Sequence, residues 1–128
     1  MEQLKKLKSI QIYRRKLRAI YDKELKLLYD NKILIENKKN RKNTYSEYIY
    51  TLLINNNYTK LKRDDLIVYL KNRNINCTVH YIPANKHLFY KKKFNKFKLA
   101  NSDYVFDNIL SIPFHNKLNK NDIVYISR

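Results

Sequence analysis

The sequence predicts an α+β fold, or a small α/β sandwich, in which a sheet of about three strands is covered by helices and preceded by a long N-terminal helix. Three observations carry this expectation. Apolar residues recur at three- and four-residue spacing over 4–29 and again over 63–73. Between and after these helical stretches, 44–54 and 75–82 are rich in β-branched, aromatic and apolar residues. The second helix separates those strands and is long enough for a crossover, so both fit one sheet. At 128 residues and 44% hydrophobic, the chain forms one structural unit with a modest core.

The elements follow in order. Over 4–29, Leu7, Ile10, Tyr13, Leu17, Ile20, Tyr21, Leu25 and Leu28 form the apolar stripe. Arg14, Arg15, Lys16 and Arg18 fill the opposite, solvated face. At about 1.5 Å per residue such a helix approaches 40 Å, a length that suits a link to something else. Residues 1–30 are therefore expected as a linking helix and 31–128 as the small domain. Ile33 to Ile35 read as a brief strand or turn, and Lys38 to Lys42 as a basic loop. Thr44 to Ile54 is the clearest strand, apolar on both faces and so expected to be covered on both. Asn55 to Asn57 end it with turn formers.

The helix over 63–73 carries Asp64 and Asp65 in its first turn and Lys71 and Arg73 in its last, as the helix dipole favours. Leu66, Ile67 and Leu70 are its buried stripe, and Asn74 takes the left-handed stop that glycine usually fills. Ile75 to Ile82 is the second strand, stopped by Pro83, which has no N–H to give a ladder. Phe94 and Phe97 pin a lysine-rich surface segment. Residues 100–109 read as a short helix burying Val105, Phe106 and Ile109, and Leu110 to Ile112 as a third short strand. Asn119 with Asp122 forms a capping box before a final helix over Ile123 to Ile126. A helix this short is marginal without docking, and the C-terminus reads as cut short.

Composition narrows the function. The net charge is +17, which favours phosphate-bearing ligands, nucleic acid or anionic surfaces. It is equally the signature of a chain drifting towards Lys, Asn, Ile and Tyr, whose codons are A/T-rich. There is no glycine. A Walker loop and a G-x-G-x-x-G turn are thereby excluded, since both need positive φ and close approach of backbone to phosphate. Any phosphate contact must come from side chains or helix N-termini. No apolar run is long enough for a membrane span, no signal peptide is visible, and the one cysteine forms no internal disulfide. The expected location is cytoplasmic.

Chemistry-bearing side chains concentrate between Cys77 and Tyr90. Cys77, His80, His87 and His115 make a zinc set on paper, but strand alternation sends Cys77 and His80 to opposite faces, and short-spaced ligand pairs are missing. No metal is expected. Cys77 in an apolar strand reads as inert core rather than a thiolate nucleophile. His80 and Tyr81 form a candidate acid/base pair. Together these residues describe a strand end that contacts a ligand.

The run from Arg63 to Pro83 (RDDLIVYLKNRNINCTVHYIP) is followed by His87, Phe89 and Tyr90. Then come ILSIPFH from Ile109 to His115, and Leu118 with Asp122. In that order and spacing they resemble the C-terminal small domain of the DegT/DnrJ/EryC1/StrS sugar aminotransferases, over about residues 10–127. The helix with Tyr21 is similar to the family's long linking helix, and the segment with Tyr45 and Tyr48 to its next element. The resemblance implies the small domain of a fold-type-I enzyme dependent on pyridoxal phosphate (PLP), acting on a nucleotide-linked sugar and working as a dimer. It implies substrate contacts at His80, Tyr81, Pro83, His87 and Tyr90, with no catalytic residue in this chain and its cofactor-binding residues unassigned. Asn76, Asn85 and Leu88 depart from the family's usual Gly, His and Pro. The Schiff-base lysine, the phosphate cup and the acid facing the pyridine nitrogen belong to the family's large domain, and no lysine here stands in a matching motif. Three readings follow: a small domain that needs a large PLP domain from the same or a neighbouring frame, a basic module binding nucleic acid or another anion, and a non-catalytic remnant.

Overall fold

The computed structural model describes residues 2–36, 45–93 and 99–128. The basic run 38–42 and the segment with Phe94 and Phe97 lie outside these residues. The fold is α+β. The helices are α1 (Glu2–Glu24), α2 (Lys26–Asp30), α3 (Arg63–Lys71), α4 (Leu88–Lys93), α5 (Ala100–Asn108) and α6 (Lys120–Ile126), with a 3₁₀ turn at Ala84–Lys86. The strands β1 (Tyr50–Leu53) and β2 (Ile109–Ile112) pair antiparallel, with Tyr50 opposite Ile112 and Leu52 opposite Leu110.

The predicted second strand, 75–82, is reduced to one antiparallel bridge between Thr78 and Ser111. Thr78 N–H donates to the Ser111 carbonyl at 3.1 Å, and Ser111 N–H returns the bond at 2.7 Å. Beyond it the chain leaves the ladder, and Pro83 opens the 3₁₀ turn. Both β1 and Thr78 oppose β2, so they run parallel to each other with β2 between them, and α3 makes the crossover. Ile33 to Ile35 contribute a second bridge, Leu34 to Ile54. Ile35 N–H donates to the Leu53 carbonyl at 2.8 Å on the edge of β1 away from β2.

The strand predicted over 44–54 forms a ladder only at 50–53. Residues 45–49 are bonded by side chains of α1 instead. Arg14 Nη1 donates to the Glu47 carbonyl at 3.0 Å, Arg18 Nη2 to the Ile49 carbonyl at 2.9 Å, and Glu47 N–H to Gln11 Oε1 at 2.9 Å. Arg14 and Arg18 therefore turn inward rather than lining a solvated face. Arg18 also pairs with the carboxylate of Glu47, which is only 5% exposed, and stacks over Tyr50 at 4.7 Å. Expected coverage of both strand faces is met only in part. Tyr50, Leu52, Leu110 and Ile112 are buried on one face, whereas on the other Ser111 is buried and Thr51, Leu53 and Ile109 are half-buried.

The core gathers Leu17, Tyr21, Leu25, Tyr50, Ile54, Leu70, Leu110 and Ile123 from three helices, the sheet and the segments that flank them. Tyr21 and Tyr50 stack at 4.6 Å, and Tyr21 Oη donates to the Pro113 carbonyl at 2.8 Å. Burial raises both phenols well above the usual tyrosine range, and for Tyr50 a hydrogen bond to Asp22 adds to it. On α1 the apolar stripe is buried only from Leu17 onward, and Leu4, Leu7 and Ile12 are exposed. In α5 the buried residue is Asn108 rather than Val105, because its Nδ2 donates to the Tyr104 carbonyl and its own carbonyl accepts Ile54 N–H. The Asn119–Asp122 capping box of α6 is present on both sides.

Helix stops show how the chain manages without glycine. The continuous helix predicted over 4–29 breaks at the buried Leu25 and ends at Lys32, with φ 59°. Lys32 N–H reaches the Tyr29 carbonyl and Ile33 N–H the Leu28 carbonyl, a Schellman stop. α3 ends the same way at Asn74, with φ 60°. A left-handed L-residue other than Asn costs about 1–2 kcal/mol. Lys32→Gly is therefore expected to stabilise the protein by about 0.5–1 kcal/mol, after the greater freedom of glycine in the unfolded chain is discounted. Urea unfolding measures this, and a destabilised variant contradicts it.

Candidate functional site

The site is built on the sheet face that the core does not use. Thr51, Leu53, Ile109 and Ser111 point there. The Thr78–Ser111 bridge brings the following residues over it, since Thr78 and His80 share a face by strand alternation. His80 Nδ1 lies 2.8 Å from Ser111 Oγ, and His80 Nε2 lies 3.5 Å from Thr78 Oγ1. Tyr81 follows across a cis peptide bond and sets its ring edge-on to His80 at 4.8 Å. The Tyr81 phenol hydrogen-bonds with Tyr48, which holds its pKa above the usual value. Both rings are largely exposed.

His80, Tyr81 and Pro83 face Asn101, Ser102, Val105 and Phe106 of α5 across a cavity of about 390 Å³. That volume suits a small polar ligand or one end of a larger one. α5 is held in place from two sides. Arg63 donates to the Phe106 carbonyl and stands over the Phe106 ring at 5.4 Å. Lys86 stands 4.5 Å from the same ring and bonds Asp107 at 3.0 Å, which raises its pKa. The predicted residues thus separate. His80, Tyr81 and Pro83 converge on one cavity, whereas His87 and Tyr90 do not line it. His87 N–H closes the 3₁₀ turn and its carbonyl accepts Lys91 N–H at the start of α4. Tyr90 packs edge-on against Phe89 at 5.3 Å. Asn85 turns its Nδ2 to Asp103 at 3.5 Å and leaves a buried Oδ1 without a hydrogen-bond partner among the described residues.

Sequence reasoning missed Ser111, Tyr48 and the polar end of α5. The signal for Ser111 was present as the one hydroxyl in an otherwise apolar strand, ILSI. The four residues of the paper zinc set are dispersed. Cys77 packs against the core, and burial raises its thiol pKa, the opposite of activation. His115 accepts Lys117 N–H at 3.3 Å. A larger cavity of about 670 Å³ lies between α1, α2 and residues 45–51. Five charged groups on its wall are already engaged: Arg18 with Glu47, Lys26 with Asp30, and Asp22 with Tyr50.

The described residues do not fit the anchoring of PLP. Its covalent anchor is a lysine held inside a closed site. Among the described residues every lysine but Lys86 is exposed, and Lys86 is tied to Asp103 and Asp107. No lysine lines the His80 cavity.

Comparison with known proteins shows the family and the fold. The DegT/DnrJ/EryC1/StrS aminotransferase family matches residues 1–128. An uncharacterized protein of Methanocaldococcus jannaschii is 35% identical over 79 residues, which are 60% of this chain and 20% of that protein. The UDP-4-amino-4,6-dideoxy-N-acetyl-beta-L-altrosamine transaminase of Campylobacter jejuni is 32% identical over 81 residues, 63% of this chain and 21% of that protein. The Helicobacter pylori aminotransferase PseC, involved in pseudaminic acid biosynthesis, superposes with a TM-score of 0.79 at 23% identity, covering 98% of this chain and 33% of that one. DesI, solved in the presence of its TDP-sugar product, superposes with a TM-score of 0.84 at 17% identity, covering 97% and 31%. The chain thus spans about a third of the solved chains whose fold it shares. The chain belongs to the DegT/DnrJ/EryC1/StrS aminotransferase family.

Proposed function

We propose that this chain is the small domain of a nucleotide-sugar aminotransferase and supplies substrate contacts to a PLP-bearing large domain on other sequence. One observation carries the reading: His80, Tyr81 and Pro83 close a cavity against α5 on the face of the sheet that the core leaves open. His80 Nε2 and the phenols of Tyr81 and Tyr48 offer hydrogen bonds to sugar or phosphate oxygens. The Campylobacter relative acts on a UDP-linked sugar and DesI was solved with a TDP-sugar, which supports this substrate class. The PLP chemistry that the family implies, proton and amino-group transfer at the substrate carbon, is supplied by the large domain. The residues here bind, orient and exclude water. Without that domain the chain is expected to be inactive.

Two measurements test the proposal. Titration of the chain with UDP and dTDP by calorimetry is expected to show binding that His80→Ala weakens about tenfold, as for one lost hydrogen bond to a charged group. Mixing the chain with a family large domain is expected to restore PLP absorbance and amino transfer to a UDP- or dTDP-linked keto-sugar. Absence of nucleotide binding would overturn the substrate contacts, and absence of restored transfer would overturn the role as an aminotransferase small domain.

A further inference from the structure

Ser111 is one of three buried polar residues among those described, and it lies on the sheet face that carries the candidate site. Its N–H and carbonyl are both used by Thr78. That leaves the hydroxyl, whose hydrogen-bond partner is His80 Nδ1 at 2.8 Å. A buried hydroxyl needs an acceptor for its proton, and leaving it without one is destabilising. A protonated Nδ1 is a donor and cannot serve. A bare Nδ1 can. The hydroxyl therefore donates to Nδ1, and the imidazole proton goes to Nε2. Nε2 meets Thr78 Oγ1 at 3.5 Å, the outer limit of a hydrogen bond. An oxygen acceptor on a ligand would take that proton readily from Thr78.

We propose that Ser111 is a positioning residue: its buried hydroxyl fixes the ring and tautomer of His80, so that Nε2–H is presented as a hydrogen-bond donor to an anionic or hydroxyl oxygen of the ligand. The ligand half of this statement rests on the substrate reading above. The tautomer half stands on the Ser111–His80 geometry alone.

Nitrogen-15 spectra of the full chain, without ligand and at about pH 8, above the ordinary imidazole range, read the tautomer directly. In the wild type, His80 Nδ1 is expected to be unprotonated and Nε2 protonated. Ser111→Ala retains both backbone bonds to Thr78 and is expected to shift the two nitrogens towards each other as the tautomers mix. Ser111→Thr keeps the hydroxyl and should restore the wild-type pattern, which mere loss of packing would not. A protonated Nδ1 in the wild type, or unchanged nitrogens in Ser111→Ala, overturns the proposal. Titration with UDP adds the second arm, where Ser111→Ala is expected to bind several-fold more weakly and Ser111→Thr to recover. If the tautomers behave as expected and the wild type ignores UDP, the positioning role holds and the substrate reading fails.

Discussion

Arg18→Ala is expected to lower the unfolding free energy by about 3–5 kcal/mol. Removing the guanidinium takes away the cation that pairs with the Glu47 carboxylate, which is 5% exposed. It also frees the Ile49 carbonyl and removes the cation stacked over Tyr50 and, at 5.5 Å, over Phe114. A domain of this size is stable by about 5–15 kcal/mol, so the loss should move the urea midpoint by a large fraction. Glu47→Gln should cost less, because a neutral amide tolerates burial better than a lone charge. The double change Arg18→Met with Glu47→Leu should recover much of the loss. A cost below about 1 kcal/mol for Arg18→Ala would place the pair among ordinary surface ion pairs and contradict the account.

Raising the pH above about 10 is expected to destabilise the protein steeply, because burial disfavours ionisation of Tyr21 and Tyr50 in the folded state. Their phenols are raised by burial, and that of Tyr50 also by its bond to Asp22 at 2.6 Å. In the unfolded chain they titrate near the ordinary value. Above it the unfolded state has lost protons that the native state still binds, so stability falls as pH rises. Below it both states are neutral at these positions and stability is unaffected by them. Each group contributes at most about 1.4 kcal/mol per pH unit, and roughly 2 kcal/mol per unit from the pair is expected after allowing for residual hydration. Tyr21→Phe should be somewhat less stable near neutral pH, through the lost bond to Pro113, yet show a shallower alkaline limb. Tyr58→Phe alters an exposed ring and should leave that limb unchanged. An alkaline slope that survives in Tyr21→Phe and Tyr50→Phe alike would contradict the assignment.

What was legible in the sequence followed from local rules. α3, its left-handed stop at Asn74 and the capping box of α6 are written within a few residues of where they act. The family motifs pointed to His80, Tyr81 and Pro83, which here line one cavity. The failures share one cause, which is partner choice across the chain. Hydrophobic periodicity counts Arg14 and Arg18 as polar and therefore outward, and it does not see that 45–49 needs donors from α1. The same blindness made 45–49 and 79–82 look like ladder strands, since apolar, β-branched runs are read as paired whether or not a neighbouring strand reaches them. The role of Ser111 depended on which residue stood opposite, and only register supplies that.

The sheet sorts its residues by the parity of their numbers. Tyr50, Leu52, Leu110 and Ile112 face the core, while Thr51, Leu53, Ile109 and Ser111 carry the His80 face. The same eight residues thus serve two faces, the even-numbered ones holding the core and the odd-numbered ones flooring the open face, with Ser111 buried beneath His80. On the proposed function, a change at Ile109 would be read first in ligand affinity and a change at Leu110 first in stability. Such a scaffold can change specificity by single steps without first losing its stability.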